Sequence, residues 1–325
     1  MTNINSKPLI LICGPTGVGK SNLAVSLCHK INGEIISADS VQVYKGLDIG
    51  SAKVTDEEKQ GITHYLIDCL NPDEDFAVNI FQQMAKDAID EIYSKGKIPV
   101  IVGGTAFYIQ ALLYDINFTE EEENEHEYRD FLLNSASTEE GAVKLWNQLN
   151  TIDPDYAQIT HYNNVKRVAR ALEYNHNTGR LFSEYNKEQS EKESDYNFIY
   201  VGLIDERKKL YDRINKRVDT MINNGLVNEV KTLRDMGYSS ALNSLSSIGY
   251  KEIGEYLDGH ITLEDAIEDI KKNSRHYAKR QLTWLRRERN VTFYNRSDYS
   301  EDIEIIESII DNAKHNNILC DSLEV

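Results

Sequence analysis

Residues 14 to 21 read GPTGVGKS, a match to the pattern GxxxxGK(S/T), whose fixed residues suit one task, the holding of a diphosphate. Gly14, Gly17 and Gly19 let the backbone curl until successive N–H groups point inward as an anion nest at the start of a helix. Lys20 adds a mobile positive charge, and Ser21 a hydroxyl suited to Mg2+. With Pro15, Thr16 and Val18 between them, the whole stretch is a candidate diphosphate site. Which diphosphate it holds has to come from the rest of the chain.

A nucleotide hydrolase built on such a loop also carries an apolar strand ending in an acid that serves the metal. Here the apolar run IPVIV, 98–102, ends instead in Gly103, Gly104 and Thr105. An acid does follow the shorter run EIIS, 34–37, where Asp39 opens the stretch DSVQVYKGLDIGSAK. The carboxyl end of a strand is the ligand-binding edge of an open α/β sheet. Asp39 therefore faces the phosphate site as a chemical group, or else caps a turn, and the sequence alone leaves both readings open.

These residues need a scaffold, and the hydrophobic pattern supplies one. LILIC at 9–13 and IPVIV are continuous apolar runs of the kind found in strands covered on both faces. Helical patterns over Ser21–Lys30 and Asn79–Lys95 lie between the runs, the second stopped by Gly96. This alternation predicts an α/β fold, a P-loop NTPase-like parallel sheet core. From about 115 to 195 the chain is acidic, helical in pattern and without a convincing strand. The predicted organisation is a first core part at 1–115, an inserted helical subdomain at 116–195, and core completion with a helical C-terminal part at 196–325. FIYVGL, 198–203, is the expected last strand. Helices are expected at Arg207–Asn223, Leu226–Met236, near Ile248–Leu257 and over Leu263–Arg289. The glutamate run Glu120–Glu123 reads as a surface loop.

A chain of 325 residues with 40% hydrophobic composition can bury one large core or two smaller ones. The N-terminal apolar stretch Pro8–Cys13 is too short to span a membrane, which predicts a cytoplasmic protein. Four cysteines, Cys13, Cys28, Cys69 and Cys320, lie far apart with no CxxC pair, so reduced, mostly packed thiols are expected rather than zinc or disulfides. The net charge of −17 argues against a polyanionic partner on average. Base is nevertheless concentrated at Lys208–Arg217 and again at Lys271–Arg289, where eight cations meet the single acid Glu288. Each cluster alone reads as a solvated helix face, but two on an acidic chain suggest a local patch for a polyanion.

Taken in order, GPTGVGKS, DSVQVYKGLDIGSAK (39–53), HYLID (64–68), VGGTAFY (102–108), VKRVARALE (165–173), LYDRINKRVD (210–219), IGYKE (248–252) and YAKRQLTWLRR (277–287) resemble the bacterial tRNA dimethylallyltransferases, or tRNA isopentenyltransferases. The resemblance spans almost the whole chain. It departs at Ala106, where the family often has glycine, and at HYNN, 161–164, in place of HPND. It implies transfer of the dimethylallyl group of dimethylallyl diphosphate to N6 of adenosine 37 in the tRNA anticodon stem-loop. On that reading Gly14 to Ser21 hold the leaving diphosphate, with Ser21 on Mg2+. Thr105 is implied as a hydroxyl donor, Arg170 and Arg213 as cationic clamps, and Asp39 as the acceptor of the adenine amino proton.

The implied tRNA-facing residues are Asp39, Ser40, Val41 and Gln42 at the strand end and Lys166, Arg167 and Arg170 in the insertion. Arg217, Arg275, Lys279 and Arg280 lie on the later helices. The base is expected to flip into a tunnel, and a monomer is expected. Phe107 and Tyr108 read as core rather than as prenyl-pocket lining. An adenylate isopentenyltransferase acting on free adenine nucleotides, or a P-loop small-molecule kinase, are the alternatives. The helical insertion and basic C-terminal helix are surplus to a nucleotide acceptor, and the missing strand-end acid counts against a kinase.

Overall fold

A computed structural model describes residues 7–116 and 126–320. The glutamate run expected as a surface loop lies outside them. The elements are β1 (Lys7–Cys13), α1 (Lys20–Ile31), β2 (Gly33–Ala38), α2 (Asp56–Lys59), β3 (His64–Tyr65), α3 (Val78–Ser94), β4 (Ile98–Gly103) and α4 (Ala106–Leu113). Helices α5 (His126–Ser135), α6 (Glu139–Ile152), α7 (Pro154–Gln158), α8 (Val165–Thr178) and α9 (Phe182–Glu191) follow. The chain then forms β5 (Tyr196–Ile204), α10 (Arg207–Asn223), α11 (Leu226–Asp235), α12 (Tyr250–Leu257), α13 (Leu263–Leu285), β6 (Val291–Asn295) and α14 (Asp302–His315).

Among the described residues the sheet has the order β3-β2-β4-β1-β5-β6, with every strand pair parallel. The apolar runs explain why. Leu9, Ile10, Leu11 and Ile12 are all fully buried, as strands covered by helices on both faces require. Helix α1 contributes Leu23, Leu27 and Ile31 to the core on one side, spaced four apart along one stripe. Helix α3 turns Phe81, Ala85, Ala88, Ile89 and Ile92 inward by the same periodicity.

The expected last strand is not the last. Beyond β5 the sheet gains β6, paired from Tyr200 with Val291 to Ile204 with Asn295. This edge strand follows a charged run and buries only Tyr294 fully, so its pattern carries little strand signal. Helix α14, for which no helix is predicted above, packs Ile305, Ile306, Ile309 and Ile310 into the main core.

The chain divides into two compact units, residues to Leu113 with those from Asp195 onward, and Tyr114–Ser194. The second unit is helical with its own core of Leu132, Leu145, Leu149, Val168 and Leu172. Within it the buried Glu173 carboxylate accepts from Arg129 at 2.7 Å and Arg170 at 3.3 Å. Asp153 accepts from the backbone of Tyr156 at 3.1 Å and of Ser183 at 2.8 Å, joining α7 to α9. In the first unit a separate cluster joins Val43, Tyr44 and Leu47 to Val218, Leu226, Val230, Tyr250 and Ile270, fixing the segment after β2 against helices α10 to α13.

Candidate active site

The P-loop links β1 to α1, and its inward curl is held by groups behind it. Gly19, the residue before α1, has φ 95°, a left-handed conformation open to glycine at no steric cost. A Cβ there would also stand 1.9 Å from an Arg296 nitrogen. Three carbonyls of the loop are taken by cations: Lys20 Nζ donates to Pro15 at 2.9 Å, Arg213 Nε to Gly17 at 2.9 Å, and Arg296 to Val18 at 2.8 Å. Arg213 is itself paired with Asp205, and Arg296 with Asp302. On the ligand side the Thr16 N–H is met by Gln281 Oε1 of α13 at 2.8 Å, while Gln281 Nε2 donates to the Gly104 carbonyl at 3.2 Å.

A cavity of about 100 Å³ opens over this loop, lined by Thr16, Lys20, Ser21, Ser37, Asp39, Gln42, His64, Gly103, Gly104, Arg217, Tyr277 and Gln281. Burial strips water from the Lys20 ammonium, and the nearby Arg217 charge adds repulsion, so its pKa falls to about 8 despite the opposing Asp39 carboxylate. Arg217 is likewise lowered by burial. His64 is held below its usual value by burial, with Nδ1 2.9 Å from the Ile62 carbonyl. Tyr277 stays protonated, since burial and then the Asp39 charge raise its pKa. Its phenol lies beside the Thr105 and Gln281 side chains.

Asp39 follows the last residue of β2. Its Oδ1 accepts from the N–H of Val41 at 2.9 Å and of Gln42 at 3.3 Å, so the turn cap left open by the sequence is present. The same side chain also lines the cavity. The two readings of Asp39 are therefore compatible.

A family model described as IPP transferase matches residues 42–288. The chain belongs to the IPP transferase family. It is 49% identical over 304 residues to a tRNA dimethylallyltransferase of Lachnoclostridium phytofermentans, covering 94% of this chain and 96% of the relative. It is 46% identical to the tRNA dimethylallyltransferase of Bacillus subtilis, covering 90% and 92%. Among solved structures it superposes on a full-length tRNA isopentenylpyrophosphate transferase from Bacillus halodurans with TM-score 0.72 and 42% identity, covering 96% and 98%. A eukaryotic dimethylallyltransferase acting on tRNA gives TM-score 0.81 at 29% identity, covering 96% and 80%.

The candidate residues of this IPP transferase sort by position. Asp39, Gln42, Thr16, Lys20, Ser21 and Arg217 share the cavity. Thr105, the residue before α4, is not among the residues lining that cavity; it lies beside Tyr277, which is. Arg213, implied as a diphosphate clamp, is engaged behind the loop with Gly17 and Asp205. Arg217, implied as a tRNA-facing residue, lines the cavity and donates to the Ser51 carbonyl at 3.3 Å. Arg275 is half-buried and donates to Asn215 at 2.6 Å, tying α13 to α10, whereas Lys279 and Arg280 are exposed. Lys166, Arg167 and Arg170 lie on α8 of the second unit, the first two exposed. Tyr108 stacks on Phe81 at 4.8 Å as a core residue, but Phe107 is exposed and meets the Trp284 ring edge at 6.3 Å.

Sequence reasoning missed Tyr277 and Gln281 as site residues. They lie four apart in YAKRQ and so share one face of α13, and their signal was being uncharged within a basic run. The cysteines divide evenly rather than being mostly packed: Cys13 and Cys28 are buried, with pKa pushed up to about 12 mainly by burial. Cys69 and Cys320 are exposed and free.

Proposed function

We propose that this IPP transferase moves the dimethylallyl group of dimethylallyl diphosphate to N6 of adenosine 37 in the tRNA anticodon stem-loop. One observation carries the reading: a single cavity sets Lys20 and Arg217 against the carboxylate of Asp39, with no strand-end acid after β4. The two cations suit a leaving diphosphate, and the carboxylate suits a proton acceptor. The dimethylallyltransferase names of relatives aligned over nearly the whole chain support the same chemistry.

In the step, the bond between the allylic carbon and the diphosphate oxygen breaks, and the electron pair leaves with the diphosphate. The N6 lone pair forms the new carbon–nitrogen bond, and the N6 proton passes to Asp39. An exocyclic amine is a weak nucleophile because its lone pair is delocalised into the ring, so loss of this proton as the bond forms is where a general base acts, typically about 10²–10⁴-fold. Charge growing on the leaving oxygen is met by the P-loop N–H groups, Lys20 and Arg217. The placement of Arg217 beside Lys20 favours this contact over one with the anticodon stem. Thr105, two residues beyond β4 and beside Tyr277, lies at the same sheet edge as a hydroxyl donor.

Magnesium fits as an ion carried by the diphosphate. Among the described residues no group of three His, Cys, Asp or Glu side chains could hold a metal. Ser21, exposed at the cavity, offers one hydroxyl ligand beside diphosphate oxygens and water. Bound there, Mg2+ supplies further neutralisation of the leaving group. For the tRNA, the exposed Lys279 and Arg280 with Arg286 and Arg287 form a basic footprint on and just after α13, suited to phosphate contacts that position without reading sequence. No helix of the described residues is long and apolar enough to cross a membrane.

The test is transfer of radiolabel from dimethylallyl diphosphate to unmodified tRNA, with AMP and ATP as parallel acceptors. Label in tRNA alone is expected. Label in the mononucleotides would make the enzyme an adenylate prenyltransferase, and label in neither would contradict prenyl transfer.

A further inference from the structure

Glu229, on α11, is absent from the cavity over the P-loop, yet its carboxylate is among the most heavily used in the chain. One oxygen accepts from the N–H of Asp48 at 3.1 Å and of Ile49 at 2.7 Å. The other accepts from the N–H of Gly50 at 3.1 Å and the Tyr250 hydroxyl at 2.6 Å. Three successive backbone N–H groups converging on one anion form a nest, and here the anion is the protein's own. Burial and the adjacent carboxylate keep Tyr250 protonated well above its ordinary range, so it donates throughout the working pH range. Gly50 is pressed onto that ring, where a Cβ would stand 2.5 Å from its carbons.

The clamped segment runs directly into the cavity wall. Ala52 adopts φ 46°, a conformation uncommon for a residue with a Cβ, which needs its surroundings to hold it. Gln42 Nε2 donates to the carbonyls of both Ser51 and Ala52 at 3.4 Å, and Arg217 to that of Ser51 at 3.3 Å. Both side chains line the cavity.

We infer that Glu229 is a positioning residue for the transfer reaction, fixing the 48–52 backbone so that the Ser51 carbonyl aims Arg217 at the donor. The inference rests on the transfer reading above. Glu229→Gln keeps size and one acceptor but replaces the other oxygen with a donor facing N–H groups. Donor KM in tRNA prenylation is expected to rise about fivefold to tenfold, while the same substitution in an Arg217→Ala background changes it less than about twofold, because the effect travels through Arg217.

Should Glu229→Gln fail to fold, Tyr250→Phe decides, with a smaller rise in donor KM expected. A donor KM unchanged in the folded variant, or a rise that is fully additive with Arg217→Ala, overturns the inference and leaves Glu229 a stabilising contact only. Wild-type protein serves as the control: if it transfers no label to tRNA the functional reading has failed, whereas active wild type with an indifferent Glu229→Gln sinks only the positioning role.

Discussion

The P-loop and the 39–53 loop leave the same edge of one sheet, with β4 between their strands, and are held in opposite ways. Behind the P-loop, two carbonyls are occupied by Arg213 and Arg296. Behind the 39–53 loop, three N–H groups are occupied by the carboxylate of Glu229. Cations behind a loop take its carbonyls rather than its amides, of which Thr16 N–H is met by Gln281 on the ligand side, and an anion behind a loop takes amides rather than carbonyls. One backbone thereby presents donors to an anion and the other presents acceptors to an amide and a guanidinium. The charge placed behind each loop sets the polarity that each turns to the cavity.

That contrast predicts that P-loop changes act on the donor. The largest effect belongs to Lys20→Ala, which removes the cation proposed to meet the developing oxyanion; kcat/KM in the transfer assay is expected to fall about 10²–10³-fold. If tRNA affinity fell with it by a like amount, the division between donor and acceptor loops would be broken.

Next is pH. With its pKa lowered to about 8, Lys20 is mostly charged at neutral pH and mostly neutral one unit above that value. A diphosphate binds the ammonium, so affinity is expected to weaken by about tenfold between about pH 7 and 9, as the competent fraction falls. Titration calorimetry with dimethylallyl diphosphate at several pH values measures this, and a flat profile in that range would remove Lys20 as the controlling group.

A smaller effect is expected of Gln281→Leu, which strands the Thr16 N–H and the Gly104 carbonyl. Donor KM should rise about threefold to tenfold, the usual consequence of a lost neutral hydrogen bond, with tRNA KM nearly unchanged. A change confined to tRNA KM would place α13 on the acceptor side instead.

The same contrast explains what could be read in advance. Every fixed residue of GPTGVGKS answers a local backbone or charge requirement, so the loop was legible without its surroundings. Asp39 was legible as a strand-end acid, and the structure adds that it caps its own turn while lining the cavity. Gln281, Tyr277, Arg296 and Glu229 act on residues tens to hundreds of positions away, and beyond the uncharged pair within the basic run of α13 no local pattern marks such a contact. Arg217 was noticed for its charge, but its direction depends on how α10 packs, which its spacing from Arg213 does not specify. The sheet was legible where both faces are buried, and β6 was not because an edge strand with exposed Thr292 and Phe293 lacks that signature.

Asp39→Asn separates capping from catalysis most directly. Asparagine keeps an Oδ1 acceptor for the Val41 and Gln42 N–H groups and removes the basic carboxylate. Single-turnover transfer to tRNA, measured beside dimethylallyl diphosphate affinity, is expected to slow by about 10²–10⁴-fold while affinity stays within about threefold of wild type. A variant that transfers at the wild-type rate would reduce Asp39 to a turn cap and contradict the assignment of the proton acceptor.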